Sequence, residues 1–253
     1  MTKTGGYKFY DKVATKFGDY GSTGENHTTK YPAENPEEVF KNLLVQYSRK
    51  DNKALDLGCA DGRFTIAIAS NFKKVTAIDL SERMLAAAKS LQKKERVKNI
   101  NFEKTNASKT PYPNNSFDVI YSRRGPTPFD EIYRLLKKGG HFINIGIGEK
   151  DTQELEETFG RGQNFGGFDS SRSKRDKQVA KKTGLKVISC KDFYYTEYYP
   201  DHQNLDLFLQ GVPIFTDYDS EKDRALLEKY ISTHQTKQGI ALPRHRIVIV
   251  AQK

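Results

Sequence analysis

Two acids and two glycines carry the first chemical signal in this chain. Asp56 lies in a short apolar run, Ala54-Leu55-Asp56-Leu57, that reads as a buried strand, and Gly58 and Gly62 bracket the loop Gly58-Cys59-Ala60-Asp61-Gly62. Arg63-Phe64-Thr65-Ile66-Ala67-Ile68-Ala69 follows with apolar residues at helical spacing. Strand, glycine loop and helix in succession form a nucleotide-binding turn. Glycine reaches backbone angles closed to other residues and lets a ligand approach the main chain. The helix N-terminus offers unpaired N–H groups and partial positive charge. The spacing is Gly-x-x-x-Gly, not the Gly-x-Gly-x-x-Gly of dinucleotide sites, and no Gly-Lys-Ser/Thr follows to cradle a triphosphate. An acid at the strand end repels a pyrophosphate and suits a cationic or amino-bearing ligand.

A second acid falls where such a ligand would need it. Lys74-Val75-Thr76-Ala77-Ile78-Asp79 reads as a strand ending in Asp79, about 20 residues past Gly58, the separation at which a carboxylate can accept hydrogen bonds from ribose hydroxyls. Ser81 is the better cap for the following helix, Ser81–Ala88, which leaves Asp79 for the ligand.

Further elements must hold these groups in place. Asn35-Pro36-Glu37-Glu38 starts a helix whose Val39, Phe40, Leu43, Leu44 and Tyr47 share one face. Strands are predicted at 99–104, 117–122, 141–148, 185–199 and 247–250. Helices are predicted at 7–14, 129–138, 152–159, 173–182, 205–209 and 222–231, the second of these closed by Lys137-Lys138-Gly139-Gly140.

The motif Asp56-x-Gly58-x-x-x-Gly62, the run Ala77-Ile78-Asp79-Leu80-Ser81, the strand Phe117-Asp118-Val119-Ile120 and the turn Arg134-Leu135-Leu136-Lys137-Lys138-Gly139-Gly140 together resemble the class I S-adenosylmethionine-dependent methyltransferases over residues 53–148. The resemblance implies an α/β fold: a Rossmann-like, doubly wound, mostly parallel seven-stranded sheet with helices on both faces. It implies S-adenosylmethionine as cofactor. Gly58, Cys59, Ala60, Asp61 and Gly62 would wrap its amino-acid end, and Asp56 would hold its ammonium directly or through water. Asp79 would take the ribose, Leu80 would lie against the adenine, and Asn106 with Ala107 would meet the adenine edge. Asn106 departs from the family's usual aspartate, though an amide oxygen still accepts. Ser122-Arg123-Arg124-Gly125-Pro126 occupies the place of the family's fourth motif, with Ser122 at the cofactor. It holds neither Asn-Pro-Pro-Tyr, Asp-Pro-Pro-Tyr nor a cysteine nucleophile, so base- and glutamine-directed amino methylation and cytosine-C5 chemistry are unsupported. Arg123 and Arg124 either clamp an anionic substrate or lie on the surface.

The chain reads as one methyltransferase domain over 1–253: a lid segment at 1–35, a core of 36–199 and 244–253, and a helical insertion at 200–243 that shapes the substrate pocket. No catalytic base stands out; His27, His202 and Tyr20 are positioning candidates, and Arg161 lies in a loop that reads as a linker. No metal site is expected, because Cys59 and Cys190 are the only cysteines and form no ligand cluster. The N-terminus lacks an apolar signal region, so a cytoplasmic protein is expected. The net charge of +10 admits nucleic acid, but the lysines are scattered. A small-molecule acceptor is the first expectation. RNA methylation of structured rRNA or tRNA, or S-adenosylmethionine binding without catalysis, are the alternatives.

Overall fold

A computed structural model describes residues 6–17 and 26–253. Its strands are β1 (Thr28–Lys30), β2 (Lys53–Leu57), β3 (Lys74–Asp79), β4 (Ile100–Lys104), β5 (Phe117–Arg123), β6 (Leu136–Ile147), β7 (Lys186–Tyr199), β8 (Gln235–Thr236) and β9 (Gly239–Gln252). The α-helices are α1 (Gly6–Phe17), α2 (Pro36–Gln46), α3 (Arg63–Ile68), α4 (Glu82–Lys94), α5 (Phe129–Leu135), α6 (Gln153–Phe159), α7 (Arg172–Lys182), α8 (His202–Gly211) and α9 (Arg224–His234).

The strands form one sheet in the order β1-β7-β9-β6-β5-β2-β3-β4, with β8 paired to β9. Pairings among β2, β3, β4, β5 and β6 are parallel. β9 runs antiparallel to both β6 and β7. The two faces bury different helices. Phe40 and Leu44 of α2, Ile68 of α3 and Leu85 and Ala88 of α4 pack on one. Ile132 and Leu135 of α5 and Ala180 of α7 pack on the other. Because the central strands are covered on both sides, they read as near-continuous apolar runs. This is the expected doubly wound α/β class, with nine strands among the described residues in place of seven. The additions are β1, three residues along the outer edge of β7, and β8, a two-residue hairpin partner of β9; segments so short and polar carry no alternation to read.

Other departures from the sequence expectations have local causes. The helix predicted over 129–138 stops at Leu135. Leu136 is fully buried and pairs with Phe117, which pulls residues 136–140 into the sheet as the start of β6. Lys137 bonds the Asp118 carboxylate at 2.7 Å, so the lysine expected to close a helix fastens two strands. β9 begins at Gly239, well before residue 247, where the uninterrupted apolar run starts; Arg244, His245 and Arg246 interrupt the hydrophobic pattern within it.

A third cluster, with Phe159 of α6, Phe208 of α8, Leu227 and Tyr230 of α9, and Ile240 and Leu242 of β9, lies beyond the tips of β7 and β9. Arg161 is anchored there by Asp223 at 2.8 Å and by the Phe159 and Phe215 rings. Phe9 and Val13 of α1 pack on Met84 of α4. Ser81 Oγ donates to the Asp11 carboxylate at 2.5 Å while accepting from the Met84 N–H at 3.1 Å. Lys16 also bonds Gln210 of α8. Ser81→Ala removes a helix cap and the tie to α1 together, and is expected to cost about 1–2 kcal/mol in urea denaturation. Among the described residues, no helix is long and apolar enough to cross a membrane.

Candidate functional site

The sheet order reverses direction at β2, whose neighbours are β5 on one side and β3 on the other. In open α/β sheets the carboxyl ends of strands at such a reversal flank the ligand crevice. The loops after β2, β3, β4 and β5 meet there through backbone hydrogen bonds. The Gly58 and Cys59 N–H groups both donate to the Ile78 carbonyl, at 2.9 and 3.0 Å. The Thr105 N–H donates to the Asp79 carbonyl at 3.1 Å. Ser122 Oγ donates to the Leu57 carbonyl at 3.1 Å.

Asp79 is the hub. Its two carboxylate oxygens accept from the Ala60 N–H at 3.0 Å and the Ser81 N–H at 2.9 Å. A carboxylate offers about four acceptor positions, so acceptor capacity remains for a ligand. Burial pushes its pKa up against these hydrogen bonds, and Asp11 of α1 adds a like charge. Leu80 beside it is an exposed large hydrophobic side chain, at 42 %. Ala60, a non-glycine at φ +46°, turns its N–H back onto Asp79.

Asp56 is turned inward. It is 3 % exposed and accepts from the Thr65 hydroxyl of α3 at 2.6 Å. Burial raises its pKa to about 7, with the charge of Asp79 adding to the effect against the Thr65 bond. An unfolded aspartate ionises near pH 3.8, so the unfolded chain loses this proton first as pH rises. The Asp56 contribution to stability therefore falls between pH 3.8 and about 7 and is level above. Asp56→Asn is expected to flatten that decline, gaining roughly 1–2 kcal/mol at pH 8 relative to pH 5. Urea titrations at the two pH values check it; equal gains at both would contradict it.

The remaining expected residues divide. Gly62 (φ +74°) turns its Cβ side into packing: a Cβ there would lie 2.7 Å from the Phe102 ring and 2.9 Å from Ala88. Its glycine is required by packing and by its left-handed turn into α3. Gly58 (φ +82°) lies under Pro126, 2.9 Å from where a Cβ would sit, so the loop after β5 closes onto the loop after β2. Asp61 pairs with Arg63 at 3.2 Å, and Cys59 is buried, with burial and the Asp56 and Asp79 charges holding its thiol protonated. Asn106 is exposed and accepts from the Ser108 N–H at 2.9 Å, while Ala107 beside it is buried. Ser122 is fully buried beneath the loop.

Of the positioning candidates, His27 is exposed beside the Tyr199 ring, His202 starts α8, and Tyr20 lies outside the described residues. Arg123 and Arg124 reach Glu37 of α2, at 2.7 and 3.5 Å. The sequence marked Glu37 only as part of a helix start. It also passed over a buried ionic network along β9: Asp151 meets Arg244 at 3.0 Å and Arg246 at 2.5 Å, and Arg244 also bonds Glu197. The available signal was Arg244-His245-Arg246 leading into Ile247-Val248-Ile249-Val250, charges inside what is otherwise a core strand. Among the described residues, no cluster of three His, Cys, Asp or Glu side chains suits a metal ion.

The comparisons with known proteins agree with this frame. Residues 54–140 match the family model described as a methyltransferase domain. A demethylmenaquinone methyltransferase of Lactococcus lactis is 39 % identical over 101 residues, 36 % of this chain and 40 % of that protein. Phosphoethanolamine N-methyltransferase 3 of Arabidopsis thaliana is 35 % identical over 151 residues, 56 % of this chain and 28 % of that one. The chain thus spans less than half the length of either relative. The crystal structure of the Bacillus subtilis YcgJ protein superposes with a TM-score of 0.63 at 17 % identity, covering 85 % of this chain and 98 % of that one, a likeness of fold. The core built on β2, β3, β4 and β5 is accordingly a domain of the class I S-adenosylmethionine-dependent methyltransferase family.

Proposed function

We propose that this protein moves a methyl group from S-adenosylmethionine to a small-molecule acceptor, within a single domain whose helix α1 and insertion 200–243 close the acceptor side; residues 1–5 and 18–25 of the lid segment lie outside the described residues. The observation that carries the reading is Asp79: a strand-tip carboxylate pinned by two backbone N–H groups, with acceptor capacity to spare and an exposed leucine beside it. That acceptor, with an apolar side chain next to it, fits a ribose lying beside an adenine.

S-adenosylmethionine, when bound, supplies a methyl group already activated by its sulfonium. This chain's residues bind and orient. With the cofactor bound, Asp79 would accept from the ribose hydroxyls, and Leu80 and Ala107 would flank the adenine, whose amino group would meet the Asn106 oxygen. Asp56, turned toward Thr65, would act on the ammonium end through its field or through water. Gly58, Cys59, Ala60 and Asp61 supply backbone, and Ser122 fixes the loop after β5 rather than touching the ligand. α1 supports the lid reading, since it ties the Asp79 edge of the crevice, through Ser81, to α8.

The test is calorimetric titration with S-adenosylhomocysteine, then transfer of labelled methyl groups from S-adenosylmethionine to an acceptor panel. The relatives make a demethylated quinol and phosphoethanolamine the first two probes. Binding with transfer to a small acceptor supports the reading. Transfer to RNA alone, with affinity falling steeply as salt rises, supports the nucleic-acid alternative. Absence of S-adenosylhomocysteine binding refutes the cofactor assignment.

A further inference from the structure

On the α2 face, at the ends of β5 and β6 and midway along β9, several arginines come together. Arg123 pairs across β5 and β6 with Ile145, and Arg246 pairs across β9 and β6 with Ile147. The two therefore stand two strands apart on one face, with backbones about 10–12 Å apart. Arg123 bonds Glu37 at 2.7 Å, and Arg246, held by Asp151, acts on it by charge alone: burial raises the Glu37 pKa, but Arg124, Arg123 and Arg246 outweigh burial and hold it below the ordinary glutamate value. Arg246 is 1 % exposed, and its Nε is buried without a hydrogen-bond partner. Its guanidinium lies 5.8 Å from the Tyr195 ring, which lies 5.2 Å from the Tyr31 ring.

The acids on this wall are already engaged. Glu37 serves Arg123 and Arg124 together, Asp151 serves Arg244 and Arg246, and Glu197 serves Arg244 and the Tyr199 hydroxyl. Four arginines thus face three buried or half-buried carboxylates, and one guanidinium nitrogen is unsatisfied. A buried donor left unmade costs free energy that an arriving acceptor recovers. Guanidinium pairs also favour planar, two-oxygen anions over point charges.

We propose that this wall seats an anionic group, carboxylate or phosphate, of the methyl acceptor, with Arg246 and the Arg123–Arg124 pair as its counter-charges and Tyr31 and Tyr195 against the adjoining part of the molecule. Glu37 is then the internal stand-in that holds the arginines until the acceptor arrives. The proposal rests on the methyltransferase reading for the identity of the ligand as acceptor, though not for the anion seat itself.

The experiment is calorimetry on the full chain saturated with S-adenosylhomocysteine, at constant ionic strength, with inorganic phosphate, benzoate and the neutral benzamide as probes. Phosphate or benzoate is expected to bind about tenfold or more tighter than benzamide, and whichever does so tells phosphate from carboxylate. Glu37→Gln is expected to tighten the favoured anion by roughly threefold to tenfold, because it releases the arginines. Arg246→Lys is expected to weaken it; should that variant fail to fold, the Glu37→Gln arm decides alone. Equal binding of all three probes, or an affinity that Glu37→Gln leaves unchanged, overturns the proposal. A chain that shows the anion pattern yet ignores S-adenosylhomocysteine refutes the cofactor reading and leaves the anion seat standing.

Discussion

Asp151→Ala is expected to destabilise the fold by about 3–5 kcal/mol, because it leaves buried arginines without their counter-charge. The Asp151 carboxylate accepts from Arg244 at 3.0 and 3.3 Å and from the His245 N–H at 2.9 Å, and it meets Arg246 at 2.5 Å. Its three partners lie in β9, the strand that closes the sheet between β6 and β7, so the loss is felt where two halves of the sheet join. Burial alone would raise the Asp151 pKa. The guanidiniums of Arg244 and Arg246 overcome it and bring the value down to about 2. The contribution is therefore complete above pH 3.8, where the unfolded aspartate is ionised, and is lost as pH falls through about 2. Denaturation of wild type and variant at pH 7 and pH 2.5 should show a gap that narrows at the lower value. A pH-7 difference under about 1 kcal/mol would mean that the network does not hold the strand.

Asp79→Ala is expected to weaken S-adenosylhomocysteine binding roughly 5- to 150-fold, about 1–3 kcal/mol. Two losses combine: the acceptor for the ligand, and the anchor that turns the Ala60 N–H and sets the loop after β2. Asp79→Asn separates them. One amide oxygen keeps a single acceptor, but the NH₂ faces one of the two backbone donors, so the loop moves while part of the ribose contact is retained. An intermediate affinity for Asn is expected. Unchanged calorimetric affinity in the alanine variant would remove Asp79 from the site.

Much of the frame was legible from local chemistry. Asn35 accepts from the Glu37 N–H at 3.0 Å with Pro36 at the first turn, as a cap signal requires. The glycine loop and the acid-tipped strands β2 and β3 follow from short, continuously buried apolar runs and from backbone angles that few residues can adopt. Those signals lie within a few residues of what they specify. That Asp56, Gly58, Asp79, Leu80, Asn106 and Ala107 lie at or just past the ends of neighbouring strands follows from strand ends and the parallel order alone.

Tertiary structure decided which way groups point and whom they meet. A strand-end acid can face a ligand or the core; Asp56 faces Thr65 because α3 packs over it. Gly62 looked like room for a ligand and is room for Phe102, forty residues on. Leu136 left its helix because Phe117 offered a sheet partner, a non-local gain that outweighs helix propensity. Arg123 is separated from Glu37, and Asp151 from Arg244, by long stretches of chain, and nothing in the intervening sequence reports those pairings. Local backbone preference is written residue by residue. Charge pairing and side-chain direction depend on which elements the finished fold brings alongside one another, and here they set which carboxylates hold Arg123, Arg124, Arg244 and Arg246.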